Sequence, residues 1–257
     1  MGVWAPVRRE LGAVTGDGAP KRLFVGVSGY AYPEWLGSFY PEKLPSGRYL
    51  EHYARRLPAV EINHTFHRIP GEKVVEHWLA ATPDDFRLCL KVQRSVTHSG
   101  VAFPKAEAAA SFSRAVDPAR DRLGPLLLDL PRAFKPDLKK LEEILQALAR
   151  PAAIQFRDEA WFGDETWRML ARHRSTAARV EEEGVPKAPP LTGAGFSYFR
   201  LRDGDPEMAA GELSQALDDG DVYAFVRHAP QAPQQAQSLL ARLRQAALAA
   251  GGGRETG

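Results

Sequence analysis

The sequence predicts an α/β protein, and more narrowly a TIM-barrel-like (β/α)8 barrel with a shortened or eroded sixth βα unit. Short apolar segments rich in β-branched residues alternate with segments of helical periodicity, which is typical of parallel βαβ units covered by helices. Seven such strands lie within about 230 residues, and this number favours a closed barrel. A flavodoxin-like or other open sheet is the alternative.

Each predicted strand is a run of apolar residues bounded by turn-forming or charged residues. Residues 137–149 and 164–173, between strands, carry apolar side chains at helical spacing with an aspartate at the expected N-cap. A last helix over residues 234–249 is expected to pack on the barrel. The strands are LFVGVSG from Leu23, AVEIN from Ala59, FRLCLKV from Phe86, GPLLLDLP from Gly124, AAIQFR from Ala152, FSYFRLR from Phe196 and DVYAFVRH from Asp221.

An eighth strand is expected between His173 and Phe196, where the pattern is weakest. This stretch reads STAARVEEEGVPKAPPLTGAG, and within it only AARV has strand character. No helical pattern follows AARV before the next strand. The sixth βα unit is therefore predicted to be very short.

Composition limits the classes of partner. The chain has 257 residues, with 34 basic and 32 acidic side chains and a net charge of +2, so nucleic acid is a less favoured partner than a small anionic ligand.

No signal peptide or membrane span is evident, and the single cysteine allows no internal disulfide. We therefore expect a cytoplasmic protein without a membrane partner. Residues 1–20 and 251–257 lack periodicity and are predicted to be flexible ends of one domain over residues 21–250; the oligomeric state is not indicated.

The stretch VEINHTFHRIP (residues 60–70) raises the question of a metal site, because His64 and His67 have H-x-x-H spacing. Its β-branched residues predict a strand, which would point the two histidines to opposite faces. A divalent metal is therefore not favoured, and the absence of Walker A and G-x-G-x-x-G motifs gives no sign of a nucleotide cofactor. Glu61 is different, because an inward-facing carboxylate at the carboxyl end of a barrel strand is typical of an active site.

Polar and charged residues recur at the carboxyl ends of all seven predicted strands. In a barrel these positions converge over one mouth. Several cations beside two carboxylates suit an anionic group such as phosphate or carboxylate, with arginine supplying a bidentate contact. The residues are Ser28, Gly29, Glu61, Asn63, Lys91, Asp129, Gln155, Arg157, Arg200, Arg202, Arg227 and His228.

Four segments, in order and spacing, carry a resemblance to a known family: VGVSGYAYPEWLGSFYPEKLP, LEHYARRLPAVEINHTFHRIP, WLAATPDDFRLCLKVQRSVTH and LGPLLLDLP. Together they resemble the domain-of-unknown-function 72 proteins, also called YecE-like, over residues 23–161 and more thinly beyond. The resemblance implies a TIM-barrel-like fold and no settled reaction. The pocket that it implies comprises Ser28, Tyr32, Trp35, Glu61, Asn63, Thr65, Phe66, Lys91, Thr97, His98, Arg157, Trp161 and Arg200.

Three positions depart from the family pattern. The family usually has tyrosine where His67 stands, glutamine where Asp129 stands, and glutamate where Gln155 stands. These departures move a carboxylate from the fifth strand to the fourth. The change preserves local charge, or it marks an altered specificity or a decayed site.

Three functions are compatible with these residues. The favoured one is an enzyme acting on an anionic substrate, with Glu61 as general base or acid, His98 as a second acid-base candidate, and Lys91 as a third catalytic candidate that also holds the anion with Arg157 and Arg200. The alternatives are a non-catalytic module for phosphate-bearing ligands or nucleic acid, and a metal-dependent hydrolase using Glu61, Asp129, His67 and His98. The expected substrate-binding residues are Ser28, Tyr32, Trp35, Asn63, Thr65, Asp129, Arg157, Trp161, Arg200 and His228.

Overall fold

The protein is a mixed α/β structure built on parallel sheets. A computed structural model describes residues 21–98, 105–202 and 206–252. The predicted N-terminal extension, residues 1–20, lies outside the described residues, as do residues 253–257 of the predicted tail. None of the helices in the described ranges combines the length and apolar character that a membrane crossing requires.

All seven predicted strands are present. A six-stranded sheet has the order β3-β2-β1-β9-β8-β7, a three-stranded sheet has the order β4-β5-β6, and every neighbouring pair is parallel. Parallel pairing of consecutive strands needs a long crossover, and this crossover contains a helix in every pair but β7 and β8. The strands are β1 Leu23–Ser28, β2 Ala59–Ile62, β3 Arg87–Leu90, β4 Leu126–Asp129, β5 Ala152–Gln155, β6 Thr176–Ala177, β7 Arg179–Val180, β8 Phe196–Leu201 and β9 Asp221–Val226.

The helices follow the strands, and two of them test the predicted caps. In α5 the Asp137 side chain accepts a hydrogen bond from the Lys140 backbone N–H at 2.9 Å, as predicted. In α6 the prediction was wrong, because Asp164 is the first helical residue and Gly163 occupies the cap. The helices are α1 Tyr49–Ala54, α2 Glu72–Ala81, α3 Arg94–Thr97, α4 Lys105–Val116, α5 Leu138–Leu148, α6 Asp164–Arg172, α7 Pro206–Leu217 and α8 Ala232–Gly252.

The six-stranded sheet adjoins the three-stranded sheet at both edges of the latter. Single parallel bridges join Leu88 to Leu123 and Lys91 to Leu127, next to β3 and β4. On the other side β6 and β7 are separated by Ala178 alone, with β6 paired to β5 and β7 paired to β8. Residues 181–195, all of which the structure describes, contain no helix, in agreement with the lack of a helical pattern in this stretch of the sequence.

The predicted strand over residues 60–70 is wrong beyond Ile62. A 3-10 helix over His64–Phe66 follows β2. The Thr65 hydroxyl donates to the Ile62 carbonyl at 3.0 Å and to the Lys91 carbonyl at 2.7 Å, and this side-chain bonding to the backbone competes with continued strand pairing. The expected alternation of side chains therefore stops at Ile62.

Two apolar clusters flank the strands. The larger cluster packs the strands against the helices. A smaller cluster combines residues of both sheets on a shared inner face. Its members are Phe24, Ala59, Cys89, Leu127, Ala153, Ala178, Val180, Phe196, Tyr198, Tyr223 and Phe225.

Candidate functional site

The candidate site is a layer of charged and polar side chains at the carboxyl ends of the strands, called the charged layer below. It lies next to the smaller apolar cluster on the inner face of the sheets. Because side chains alternate along a strand, the residue two positions after an inward-facing one also faces inward. Two residues after Ala59, Leu127 and Tyr198 stand Glu61, Asp129 and Arg200 in the sequence. The same step leads from other members of the cluster to Lys91, Gln155, Glu182 and Arg227. Apolar spacing in the strands thus positions the charges at their carboxyl ends.

Glu61 lies at the centre of this layer and is completely buried. Ser28 Oγ donates to its Oε1 at 2.6 Å, and Tyr198 Oη donates to its Oε2 at 2.8 Å. Arg200 contacts both oxygens, with Nη2 at 2.9 Å from Oε1 and Nε at 3.0 Å from Oε2. Each carboxylate oxygen therefore accepts two hydrogen bonds, and the arginine contact is bidentate.

The surroundings keep Glu61 ionised. Burial alone raises the pKa of its carboxyl group, but the positive charge of Arg200 and the hydrogen bonds from Ser28, Arg200 and Tyr198 lower the pKa below its usual value. The pKa of the Tyr198 hydroxyl is raised by burial and by the Glu61 charge, so the hydroxyl stays protonated and donates. Both oxygens of the Glu61 carboxylate are therefore occupied by donors, and its lowered pKa makes it a weak base.

Gln155 continues the network from Arg200 into the three-stranded sheet. Arg200 Nη1 donates to Gln155 Oε1 at 2.7 Å, and both residues are buried. Gln155 Nε2 is also buried and has no hydrogen-bond partner among the described residues. A buried donor without an acceptor is unfavourable, so this amide nitrogen is available to an acceptor atom of a ligand.

Asp129 is ion-paired with two cations. Arg157 contacts it with Nε at 3.0 Å from Oδ1 and Nη2 at 3.3 Å from Oδ2, and Lys91 Nζ lies 2.9 Å from Oδ2. Burial would raise the pKa of Asp129, but Arg157 and Lys91 lower it. Three predicted site residues therefore form one ion-paired group.

Glu182 links this group to the last strand and was not among the predicted site residues. Its Oε1 lies 3.1 Å from Arg157 Nη1 and its Oε2 lies 3.3 Å from Arg227 Nη1. The available signal was its position two residues after Val180, which the short strand before it obscured. Tyr198 was also missed, although it shares a strand face with Arg200.

His98 and Phe66 lie beside Lys91. Lys91 Nζ sits 4.3 Å from the centre of the Phe66 ring, and the centre of the His98 ring lies 5.0 Å from the same ring. His98 is exposed, and its Nδ1 lies 2.7 Å from the hydroxyl of buried Thr97. Partial burial and the nearby cations lower the pKa of His98 against the opposing charge of Asp129, so the imidazole is neutral at pH 7.

Tyr32 and His228 form a stacked pair on the side of Ser28. Their ring centres are 3.7 Å apart, Tyr32 Oη donates to the Ser28 carbonyl at 3.2 Å, and His228 Nε2 lies 2.6 Å from Glu34 Oε1. A cavity of about 200 Å³ adjoins Tyr32, and its wall includes Asn63, whose buried Oδ1 has no partner among the described residues. Tyr32 and Asn63 therefore border open space beside the charged layer.

Three predicted site residues lie in the core instead. Trp35 is completely buried, with its indole N–H bound to the Ala229 carbonyl at 3.1 Å. Trp161 is 2% exposed, and its indole N–H contacts the Phe134 carbonyl at 3.3 Å. Thr65 is buried and binds backbone carbonyls, as described above. These side chains are part of the packed core under the site and expose almost no surface to a ligand.

The residues suggested for a metal site do not fit one. In the described ranges no three His, Cys, Asp or Glu side chains come together in a way that would hold a metal ion. The carboxylates of Glu61 and Asp129 are already bound by arginine and lysine. His64 and His67 lie beside different aromatic rings, those of Trp78 and Phe66.

The fold and the charged layer define an α/β protein of parallel sheets with a cluster of ion-paired side chains at the carboxyl ends of its strands. The family described as "Protein of unknown function DUF72" matches residues 24–255, and the chain belongs to this family. The resemblance found in the sequence is thereby confirmed.

Relatives agree with this assignment. The chain is 27% identical to the UPF0759 protein YecE of Escherichia coli (strain K12) over 198 residues, which are 77% of this chain and 65% of that protein. It is 26% identical to the UPF0759 protein YunF of Bacillus subtilis (strain 168) over 152 residues, covering 54% of this chain and 52% of YunF. The chain thus spans less than two thirds of the length of both relatives.

Solved structures agree in fold. A DUF72 family protein from Thermotoga maritima MSB8 superposes with a TM-score of 0.73 at 25% identity, covering 86% of this chain and 98% of that one. A DUF72 family protein from Enterococcus faecalis V583 gives a TM-score of 0.69 at 17% identity, covering 87% and 98%.

Proposed function

We propose that the protein is an enzyme that acts on a phosphate- or carboxylate-bearing substrate at the carboxyl ends of its strands. The observation that carries this proposal is the layer of cations at that position. Four cationic side chains are paired with three carboxylates, so the group has one surplus positive charge. The cations are Lys91, Arg157, Arg200 and Arg227, and the carboxylates are Glu61, Asp129 and Glu182.

The network is more elaborate than stability requires. Replacing a buried ion pair by well-packed apolar side chains is often neutral or stabilising, so a buried pair such as Glu61–Arg200 is poorly explained as a fold-stabilising device. Groups with shifted pKa values that collect at strand ends are typical of functional sites. This combination supports a site that binds charge.

The proposal includes a closed TIM-barrel-like architecture. Three observations support it: the bridges beside β3 and β4, the one-residue step between β6 and β7, and the inner cluster to which every strand but the two-residue β6 contributes a side chain. If β6 and β7 are halves of one strand, eight parallel strands follow one another around a single axis. Active sites of such barrels lie at the carboxyl ends of the strands.

The side chains then take different roles. Arg157 and Lys91, which are 25% and 14% exposed at the edge of the layer, bind the anionic group. Gln155 Nε2 donates to a further substrate oxygen. Glu61 holds Arg200 in place, and the exposed neutral imidazole of His98 is the acid-base candidate.

A non-catalytic binding module is the second candidate. One observation favours it: both buried carboxylates, Glu61 and Asp129, are ion-paired and have lowered pKa values, which leaves little acid-base chemistry in the layer. His98 is the residue that separates the two candidates, since an enzyme would require it and a binding module would not.

A ligand screen tests both candidates. Wild-type protein, Arg157→Ala and the control Arg172→Ala, an exposed arginine paired with Glu142, are melted with inorganic phosphate, sugar phosphates, nucleotides, dicarboxylates and single-stranded oligonucleotides. A ligand at one hundred times its dissociation constant stabilises by about 2.7 kcal/mol. The expected result is a stabilising anion whose effect is lost in Arg157→Ala and kept in Arg172→Ala.

Ligands found in this way are then incubated with wild-type protein and His98→Asn and followed by NMR. Conversion by wild type that is lost in His98→Asn supports an enzyme, whereas binding without conversion supports the binding module. A folded protein that is stabilised by no anion contradicts both.

A further inference from the structure

Glu182 connects two arginines that have no other link to each other in the described structure. Its carboxylate gives one oxygen to Arg157 Nη1 at 3.1 Å and the other to Arg227 Nη1 at 3.3 Å. The side chain of Glu182 is 22% exposed, that of Arg157 25% and that of Arg227 35%. All three therefore lie at the open edge of the charged layer. Two guanidinium nitrogens that converge on one small anion form the kind of site that binds phosphate or carboxylate.

Arg157 and Arg227 differ in how firmly contacts other than those with Glu182 hold them. Arg157 is anchored by two nitrogens on Asp129, which leaves its Nη1 for the contact with Glu182. The Arg227 backbone N–H donates to the Leu201 carbonyl at 2.7 Å, which fixes its main chain at the end of β9. If Glu182 moved away, Arg157 Nη1 would therefore keep its place at the edge of the layer.

Glu182 sits on the segment that replaces a regular sixth helix. Residues 181–195 contain neither helix nor strand, and Gly184, two residues on, has a φ of +70°. Partly exposed ion pairs of this kind are weak, because solvent screens them and ordering the side chains opposes them. An incoming anion can therefore compete with Glu182 for the two arginines.

We propose that Glu182 is an internal competitor whose carboxylate occupies the subsite between Arg157 and Arg227 that receives the anionic group of the ligand. The inference rests on the proposed function and adds the position of the anion and its control. Ligand binding exchanges one carboxylate for another anion and releases the Glu182 side chain from the two arginines.

The test measures the affinity of inorganic phosphate by calorimetric titration at constant ionic strength. Glu182→Gln removes the competing charge and is expected to bind phosphate about tenfold more tightly than wild type. The control is Glu183→Gln, which makes the same charge change at the neighbouring exposed residue and should alter affinity less than about twofold. Adding Arg227→Ala to Glu182→Gln should remove the gain.

The outcomes separate this inference from the proposed function. Equal phosphate affinity in Glu182→Gln and Glu183→Gln, with binding by wild type that depends on Arg157, overturns the inference and leaves the proposed function intact. Absence of phosphate binding in every variant, together with a screen that finds no anion, overturns both. If Glu182→Gln does not fold, Glu182→Asp replaces it: its shorter arm should weaken the competition and tighten phosphate binding, and unchanged affinity would contradict the inference.

Discussion

Substitution of Glu61 by glutamine is the most direct test of the buried network. Glutamine has nearly the same shape, but it removes the negative charge and turns one oxygen into a donor. That donor would face either Ser28 and Arg200 Nη2 or Tyr198 and Arg200 Nε. The hydroxyl can turn to accept from it but the arginine nitrogen cannot, so one hydrogen bond to Arg200 is lost in either orientation. Arg200, only 8% exposed, is left as a buried cation without its counter-charge.

Breaking a buried ion pair in this way costs about 3–5 kcal/mol. For a domain of this size, each kcal/mol shifts the melting temperature by about 2–4 °C, so Glu61→Gln should melt about 6–20 °C below wild type. Urea unfolding followed by circular dichroism gives the free energy, with the midpoint and slope fitted together. Glu51→Gln is the matched control, because Glu51 pairs with Arg48 and Arg55 at the surface, where the effect should stay below about 1 kcal/mol.

A Glu61→Gln protein within about 1 kcal/mol of wild type would refute the reasoning. It would mean that Arg200 finds another counter-charge or that water enters the layer.

Two further predictions concern acid stability and close packing. Because the folded pKa values of Glu61 and Asp129 lie below their unfolded values, these groups stabilise the protein above about pH 4.5, and this stability is lost as the pH falls through the folded pKa values. Urea titrations from pH 7 to pH 3 should show a smaller loss in Glu61→Gln; an unchanged pH dependence would contradict the lowered pKa. Gly26→Ala should leave little folded protein by circular dichroism, since a Cβ there would lie 2.0 Å from the Ala59 carbonyl oxygen, whereas Gly47→Ala, with open space around it, should fold normally.

The sequence identifies the strands well where they are buried on both faces. Runs such as LLLD and AAIQ have no alternation to misread, and their ends carry the charged residues that the structure brings together. The pattern is weaker at β6 and β7, where only AARV (residues 177–180) predicts a strand and the structure has two strands of two residues each. Glu182 was missed because its inward direction depends on this strand, which the sequence shows only weakly.

How deeply a side chain is buried is the property that is hardest to predict from the sequence. Trp35 and Tyr32 belong to the same aromatic segment, yet Trp35 is in the core and Tyr32 borders a cavity. The sequence shows that both side chains are amphipathic rings, but it does not show which of them the rest of the fold will cover. Likewise the inward direction of Glu61 was predictable, whereas its complete saturation by Ser28, Tyr198 and Arg200 depended on contacts between distant strands.

The charged layer also fastens the two sheets to each other. Lys91–Asp129, Arg200–Gln155 and Arg157–Glu182 each join a residue at the end of one sheet to a residue at the end of the other. Where these sheets meet, backbone pairing is limited to isolated bridges on one side and two-residue strands on the other. On the proposed function, an anion that displaced one of these side chains would remove a contact between the two sheets. The stability of the packing between the sheets would then report whether the site is occupied.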